Sequence, residues 1–138
     1  MNASSFSTLA GRLGLAPLFI LAGVSKLGAG YAGTQGYMEA MGVPGALLPL
    51  VIALELGGGL AILAGAFTRS VALALGAFSL VAAAIFHGNL GDTMQGILFW
   101  KNVAMAGGFL MLAAHGAGPL SLDATWSRRR GATSLAAA

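Results

Sequence analysis

The sequence predicts an all-α integral membrane protein, a bundle of four transmembrane helices with both termini in the cytoplasm. Two observations support this prediction. Of the 138 residues, 57% are hydrophobic and only 8% are charged, whereas soluble domains carry about 25% charged residues. The apolar residues also fall into four stretches, each about as long as a helix must be to cross a bilayer, at about 9–27, 46–67, 71–87 and 97–114.

The first stretch begins near Leu9 and contains Arg12 close to its start and Pro17 further on. A proline is tolerated in lipid because neighbouring helices satisfy the carbonyl that it frees. A cleaved signal peptide is the alternative interpretation, since a basic residue, an apolar core and small residues follow in that order. The stretch is long for a signal core, and Lys26 stands where a cleavage region would begin. We therefore expect a first transmembrane helix here.

The intervals between the stretches predict the connections of the bundle. Residues 28–44 are polar and rich in glycine, with one short helical turn expected at Tyr37–Met41. Pro49 lies in the first turn of the second helix, where proline does least harm. Thr68–Ser70 is too short for anything but a tight turn to an antiparallel third helix. Residues 88–96 form a second polar loop before the fourth helix.

Residues 1–120 are predicted to form one membrane domain, followed by a short, polar and mobile tail over residues 121–138. Arg12, Arg69 and the run Arg128–Arg130 fall on one side of a four-helix bundle, and the positive-inside rule places that side in the cytoplasm. The net charge of +3 is concentrated in this run. We therefore expect it to anchor on the anionic lipid of the bilayer, and we expect no nucleic acid as partner.

Ionisable side chains inside transmembrane helices are functional candidates, because a charge at the centre of a helix costs about 2.5–3.5 kcal/mol on insertion. Glu55 lies about nine residues into the second stretch, roughly 13 Å deep. Lys101, with Asn102 beside it, lies about four residues into the fourth stretch, roughly 6 Å deep. Lys26 and His87 close the first and third stretches at the same end. These residues predict a polar pocket in the outer half of the bundle, closed below by apolar packing.

Structural interpretations of the same residues remain open. Lys26 and Lys101 are long enough to reach the outer headgroups, and His87 suits an interface. Glu55 is too deep to reach water, so it is neutral, paired with a lysine or facing a wet cavity. With two histidines, no cysteine and no paired ligands on one helix, we expect no metal site and no thiol chemistry.

Six short motifs contain these residues or lie between them, in the following order along the chain: Gly-Val-Ser-Lys-Leu at Gly23–Leu27, Met-Gly-Val-Pro at Met41–Pro44, Leu-Glu-Leu-Gly-Gly at Leu54–Gly58, Phe-Thr-Arg at Phe67–Arg69, Phe86-His87 and Trp100-Lys101-Asn102. Together they resemble the DoxX family of small bacterial four-helix membrane proteins, over about residues 9–114. The resemblance implies a multi-pass protein of the bacterial plasma (inner) membrane. It also implies that Lys26, Glu55, His87 and Lys101 stand at the family's polar positions.

Relatives named DoxD look like quinone-reducing subunits of sulfur-oxidising complexes, and other members are associated with membrane oxidoreductase assemblies. The resemblance therefore implies a redox-associated subunit, an oxidoreductase subunit if it is an enzyme, with a membrane or periplasmic redox protein as partner. Its pocket would bind a quinone-like or small polar ligand. Glu55 and His87 are the candidate catalytic residues for the proton, and Lys26, Lys101 and Asn102 the candidate ligand-binding residues. Two alternatives stay open: a non-enzymatic scaffold subunit, and a solute or proton transporter acting as a homo-oligomer.

Overall fold

The protein is built from helices throughout the part that the structure describes, a computed structural model covering residues 3–136 and the side chains of residues 4–131. In chain order the helices are α1 (Ala3–Ser25), α2 (Gly30–Ala40), α3 (Gly45–Ala64), α4 (Thr68–Phe86), α5 (Thr93–His115) and α6 (Leu122–Ala136). Helices α1, α3, α4 and α5 are long and apolar enough to cross a membrane. The predicted all-α fold with four membrane-spanning helices is confirmed.

The four long helices pack as two neighbouring pairs. Helix α1 lies along α3, α4 lies along α5, and α1 also contacts α5. Phe19 of α1 meets Phe109 of α5 edge to face, with ring centroids 5.3 Å apart, at the centre of the main core cluster. Large side chains such as Leu21, Leu50 and Leu110 point outward and are more than 60% exposed. An apolar outer surface of this kind is stable in lipid and not in water.

Two glycines allow α1 and α3 to approach closely. A Cβ atom at Gly23 would lie 2.9 Å from the backbone nitrogen of Leu56, and one at Gly59 would lie 3.0 Å from the backbone nitrogen of Ile20. Neither backbone can move without separating the helices. Small residues therefore set the distance between α1 and α3, as they commonly do in membrane bundles.

Arg12 was used above to mark the cytoplasmic side of the bundle, which suggests an exposed side chain, but in the structure it is buried. It is only 3% exposed, and its guanidinium donates to the carbonyl oxygens of Ile62 (2.9 Å), Leu63 (2.6 Å), Ala117 (3.0 Å) and Leu120 (2.7 Å). The last carbonyls of a helix have no partner within the helix. Arg12 supplies hydrogen-bond donors to the carbonyls at the end of α3, and it also links α1 to the segment after α5.

The turn between α3 and α4 falls earlier than predicted. Gly65 (φ +69°) and Phe67 (φ +48°) are left-handed, so the chain reverses at 65–67, and Thr68–Ser70 form the first turn of α4. The carboxylate of Asp123 accepts the backbone N–H groups of Phe67 (2.8 Å) and Thr68 (2.9 Å). Burial alone would raise the pKa of Asp123, but these donors lower it below its ordinary value. A cap supplied from far along the chain cannot be recognised in the local sequence.

The connection between α1 and α3 also contains more helix than predicted. Helix α2 covers most of the interval in which only a turn at Tyr37–Met41 was expected. Met38 is buried and packs against Leu48 and Ile52 of α3. This packing offsets the low helix propensity of the glycines in α2.

The C-terminal segment, predicted to be a mobile polar tail over 121–138, is helical as α6, and residues 137 and 138 lie outside the described part. The indole of Trp126 packs against the ring of Phe67, with centroids 5.2 Å apart. The side chain of Arg128 donates to Thr125 Oγ1 at 3.4 Å. The mobility of this segment stays a prediction.

Candidate functional site

A cavity of about 530 Å³ lies between the long helices. It is at the end of the bundle opposite the one where Arg12 binds the four carbonyl oxygens. Lys26 directly follows α1, Glu55 lies within α3, and His87 directly follows α4. Lys101 and Asn102 project from α5. The structure brings all five sequence-predicted residues to the lining of this one cavity.

Lys26 and Glu55 form an ion pair across the cavity wall, with Nζ and Oε2 2.7 Å apart. The ammonium also donates to the carbonyl oxygen of Ala22 at 3.1 Å, near the C-terminus of α1, where the helix dipole favours a cation. Within the described part of the chain, this ammonium is the only partner of Glu55 Oε2. Of the three states open to Glu55 (neutral, paired with a lysine or facing a wet cavity), the structure shows the pair with a lysine.

Glu55 lies in a wider turn of α3 that the sequence pattern did not reveal. The backbone of Ala53–Gly57 has π-helical hydrogen bonding, between α-helical segments at Leu48–Ile52 and Gly58–Ala64. Single π turns within α-helices are frequent at functional sites. The contact between Gly23 and Leu56 places α1 directly against this turn. The turn and its neighbour therefore fix where the Glu55 carboxylate stands.

His87 is oriented by a residue that sequence reasoning missed. Its Nδ1 lies 2.8 Å from Oε1 of Gln95. In this assigned orientation of the amide, Nδ1 carries the hydrogen and Nε2 is left as an acceptor. Gln95 is held in turn by Asp92, whose side chain accepts the Gln95 backbone N–H at 2.8 Å and caps α5.

The start of α5 was predicted too late, although the sequence carries a sign of it. An aspartate followed three residues later by a glutamine is typical of a helix N-terminus, and Asp92 and Gln95 have this spacing. Helix α5 therefore begins at Thr93. Lys101 therefore lies about eight residues into the helix, roughly 12 Å from its start, rather than about four.

Asn102 and Lys101 differ in their surroundings. Asn102 is buried and donates from Nδ2 to the carbonyl oxygen of Leu98 at 2.9 Å, which leaves its Oδ1 and one N–H for another partner. Lys101 is exposed beside it, and none of the described side chains forms an ion pair or hydrogen bond with it. The cavity thus contains one cation without a counter-charge.

Helix α2, in the connection between α1 and α3, contributes one wall of the cavity. Thr34, Tyr37 and Met38, spaced three and four residues apart on one face, belong to the lining. The Tyr37 ring stacks on Phe86 of α4, with centroids 5.4 Å apart and planes inclined by 29°. Sequence reasoning missed these residues because it treated most of α2 as a loop, although the spacing of the three would have indicated a common face.

The rest of the lining is apolar, and it is contributed by α1, α3, α4 and α5 together with the loop before α3: Leu18, Phe19, Ala22, Val43, Leu47, Val51, Phe78, Val81, Ala82, Ile85, Phe86 and Met105. The cavity lining is therefore largely apolar, with a few polar side chains. Among the described residues, no three histidine, aspartate or glutamate side chains are grouped closely enough to hold a metal ion. Chemically, the lining offers ammonium and amide donors, a carboxylate and an imidazole.

Comparisons with known proteins agree on the family. A family model described as DoxX matches residues 7–88, a range that includes Lys26, Glu55 and His87 and ends before Lys101. The Inner membrane protein YqjF of Escherichia coli (strain K12) is 53% identical, over 83% of this chain and 88% of that protein. The Inner membrane protein YphA of the same organism is 38% identical, over 83% of this chain and 86% of that protein. No solved structure gives a significant match.

Proposed function

Because this chain belongs to the DoxX family and is a multi-pass protein of the inner membrane, we propose that it is a redox-associated membrane subunit whose cavity binds a quinone-like or other small polar-headed molecule. The observation that supports this proposal is the convergence of Lys26, Glu55, His87, Lys101 and Asn102 on one largely apolar cavity. Ligand sites in proteins are commonly apolar concave spaces with a few placed polar groups, of about 300–1,000 Å³.

The shape and lining of the cavity suit a molecule that partitions into the bilayer. An apolar body would pack against side chains such as Phe78 and Met105, while an oxygen-bearing head would lie among the polar residues. A quinone has this division, with carbonyl oxygens on an apolar ring and tail. Its carbonyl oxygens accept hydrogen bonds, and the lysines and Asn102 are donors.

The polar residues have complementary tasks in this proposal. Lys26 and Lys101 would stabilise negative charge that develops on a ligand oxygen during reduction. His87 would exchange the proton through Nε2, which the hydrogen bond between Nδ1 and Gln95 leaves as an acceptor. Glu55 would take or give a proton when its pair with Lys26 opens. The electrons would come from or go to a membrane or periplasmic redox partner.

A non-enzymatic scaffold subunit is the second candidate function, and the Lys26–Glu55 pair is the observation that favours it. A buried pair at 2.7 Å also has the geometry of a structural link between α1 and α3. In some proteins such pairs fix helix register and partner choice. This candidate needs no ligand, so the two functions make different predictions for the same substitution.

The substitution Glu55→Gln tests the proposal. It keeps the size of the side chain and removes the carboxylate, so we expect the affinity for a short-chain ubiquinone to fall by about tenfold or more, roughly 1.4 kcal/mol. The protein should still accumulate, because Lys26 lies at the end of α1 and is able to reach the headgroups. Native mass spectrometry of the gently solubilised protein would first identify any retained small molecule.

Glu39→Gln is the matched control, since Glu39 is an exposed glutamate of α2 outside the cavity lining. It should leave ubiquinone binding unchanged. If Glu55→Gln binds ubiquinone as the unsubstituted protein does, the proposed site is wrong. If Glu55→Gln loses a co-purifying protein and no ligand is ever retained, the scaffold function is supported instead.

A further inference from the structure

We propose that the head of the bound molecule is anionic, so that the cavity takes amphiphiles with a single negatively charged oxygen group. This inference rests on the proposed function, because it requires that the cavity has a ligand, and it specifies the charge of that ligand. It follows from the inventory of charges around the cavity. Two lysines and one glutamate line the cavity, together with His87.

The negative charge of the Glu55 carboxylate is already balanced by a lysine. Glu55 pairs with Lys26, Nζ to Oε2, at 2.7 Å, and the two charges cancel. His87 is hydrogen-bonded to the uncharged amide of Gln95. The positive charge that remains belongs to Lys101.

No acidic residue of the chain is placed to balance Lys101. The sequence contains four acidic residues: Glu55 is paired, Asp92 caps α5, Asp123 caps α4, and Glu39 lies exposed on α2. Lys101 forms no ion pair with any described side chain. Any counter-charge for Lys101 therefore comes from outside the described protein, from the headgroup region or from a ligand.

The position of Lys101 favours a ligand in the cavity. It lies within the membrane-spanning helix α5, about eight residues from its start, where an ammonium without a partner is costly. The side chain of Asn102, next to it, has one N–H and one oxygen to spare. An anionic oxygen in the cavity would accept from both side chains, while its apolar body would fill the space against Phe78 and Met105.

Two sources supply this chemistry: a phospholipid of the surrounding bilayer with its phosphate at Lys101, and a free amphiphile such as a carboxylate with an apolar chain. The experiment uses the full chain in nanodiscs of neutral phosphatidylcholine at about pH 9, so that the carboxylic acid is ionised although the bilayer raises its pKa. Binding of dodecanoate is compared with binding of the uncharged dodecanol. We expect dodecanoate to bind about tenfold more tightly, and a co-purified anionic phospholipid that dodecanoate displaces would identify the bilayer as the source.

Three substitutions make the comparison specific. In Lys101→Met the preference for dodecanoate should fall to about one, and in Lys101→Arg, which keeps the charge, it should persist. Arg130→Met removes a basic residue outside the cavity and should leave the preference unchanged. A preference that survives in Lys101→Met, or equal binding of dodecanoate and dodecanol by the unsubstituted protein, overturns the inference.

Different results would contradict the inference and the proposed function. Short-chain ubiquinone is measured in the same nanodiscs. If ubiquinone binds and dodecanoate has no advantage over dodecanol, the cavity has a ligand but the anionic head is wrong. If neither ubiquinone nor either dodecyl probe binds, the proposed ligand site itself is wrong, and the inference falls with it.

Discussion

At the scale of single residues, the two members of the Lys26–Glu55 pair are not equivalent. Glu55 is buried within α3, whereas Lys26 stands at the end of α1 with about a fifth of its side chain exposed (19%). If the pair is broken, the ammonium is able to turn toward the headgroups, but the carboxylate has no such route. The cost of breaking the pair therefore depends on which partner is removed.

Lys26→Met should destabilise the protein by about 3–5 kcal/mol, because it leaves the Glu55 carboxylate buried without a partner. Resistance to denaturation in SDS measures this loss. The double variant Lys26→Met/Glu55→Gln is the control and should recover most of the stability, since no uncompensated charge remains. A double variant as unstable as Lys26→Met alone would mean that the packing of the lysine stem matters more than the charge.

At the scale of the helices, the π turn at Ala53–Gly57 packs directly against α1. The Gly23 position faces Leu56 so closely that an added methyl group would meet backbone and side-chain atoms at 2.9 Å. At Gly57, in the same turn, an added methyl group would meet no atom within 4 Å. The two glycines therefore provide a matched pair of substitutions.

Gly23→Ala should cost about 1–3 kcal/mol through overpacking, and it should also weaken ubiquinone binding because the Glu55 carboxylate moves with Leu56. Gly57→Ala should cause no loss of stability, since alanine is the better helix former. Thermal unfolding and ubiquinone affinity measure both effects. Equal behaviour of the two variants would show that α1 does not hold the turn in place.

The helices also show which features the sequence was able to predict. Hydropathy located the four membrane-spanning helices, and the ionisable residues chosen as site candidates, Glu55 above all, line the cavity, whereas Arg12 lies outside it. Features that depend on distant partners could not be predicted. The Arg12 side chain binds carbonyls about fifty and a hundred residues away, the cap of α4 comes from Asp123, and the π turn breaks the 3.6-residue period on which helix patterns rest.

At the scale of the whole molecule, four membrane-spanning helices place the N-terminus and the segment after α5 on the same side of the bilayer. The cavity lies toward the other side, where Lys26 and His87 are found. Arg69, in the first turn of α4, is exposed on the same side of the bilayer as the N-terminus. The run Arg128–Arg130, which follows the last membrane-spanning helix, is exposed there too. The positive-inside rule therefore predicts that the cavity faces away from the cytoplasm, and a redox partner as proposed above would then be membrane-bound or periplasmic.

Reporter fusions test this orientation. Green fluorescent protein attached after the C-terminus should fluoresce, because the basic run keeps that end in the cytoplasm, and alkaline phosphatase inserted at Gly91, in the loop between α4 and α5, should be active outside. Replacing Arg69 and Arg128–Arg130 by glutamine should weaken both results, whereas the same replacement at Lys101 should not. The opposite pattern of reporter activity would mean that the bundle has the reverse orientation, with the cavity end facing the cytoplasm. The cavity residues would be unchanged in that case, but their redox partner would have to be sought among cytoplasmic proteins.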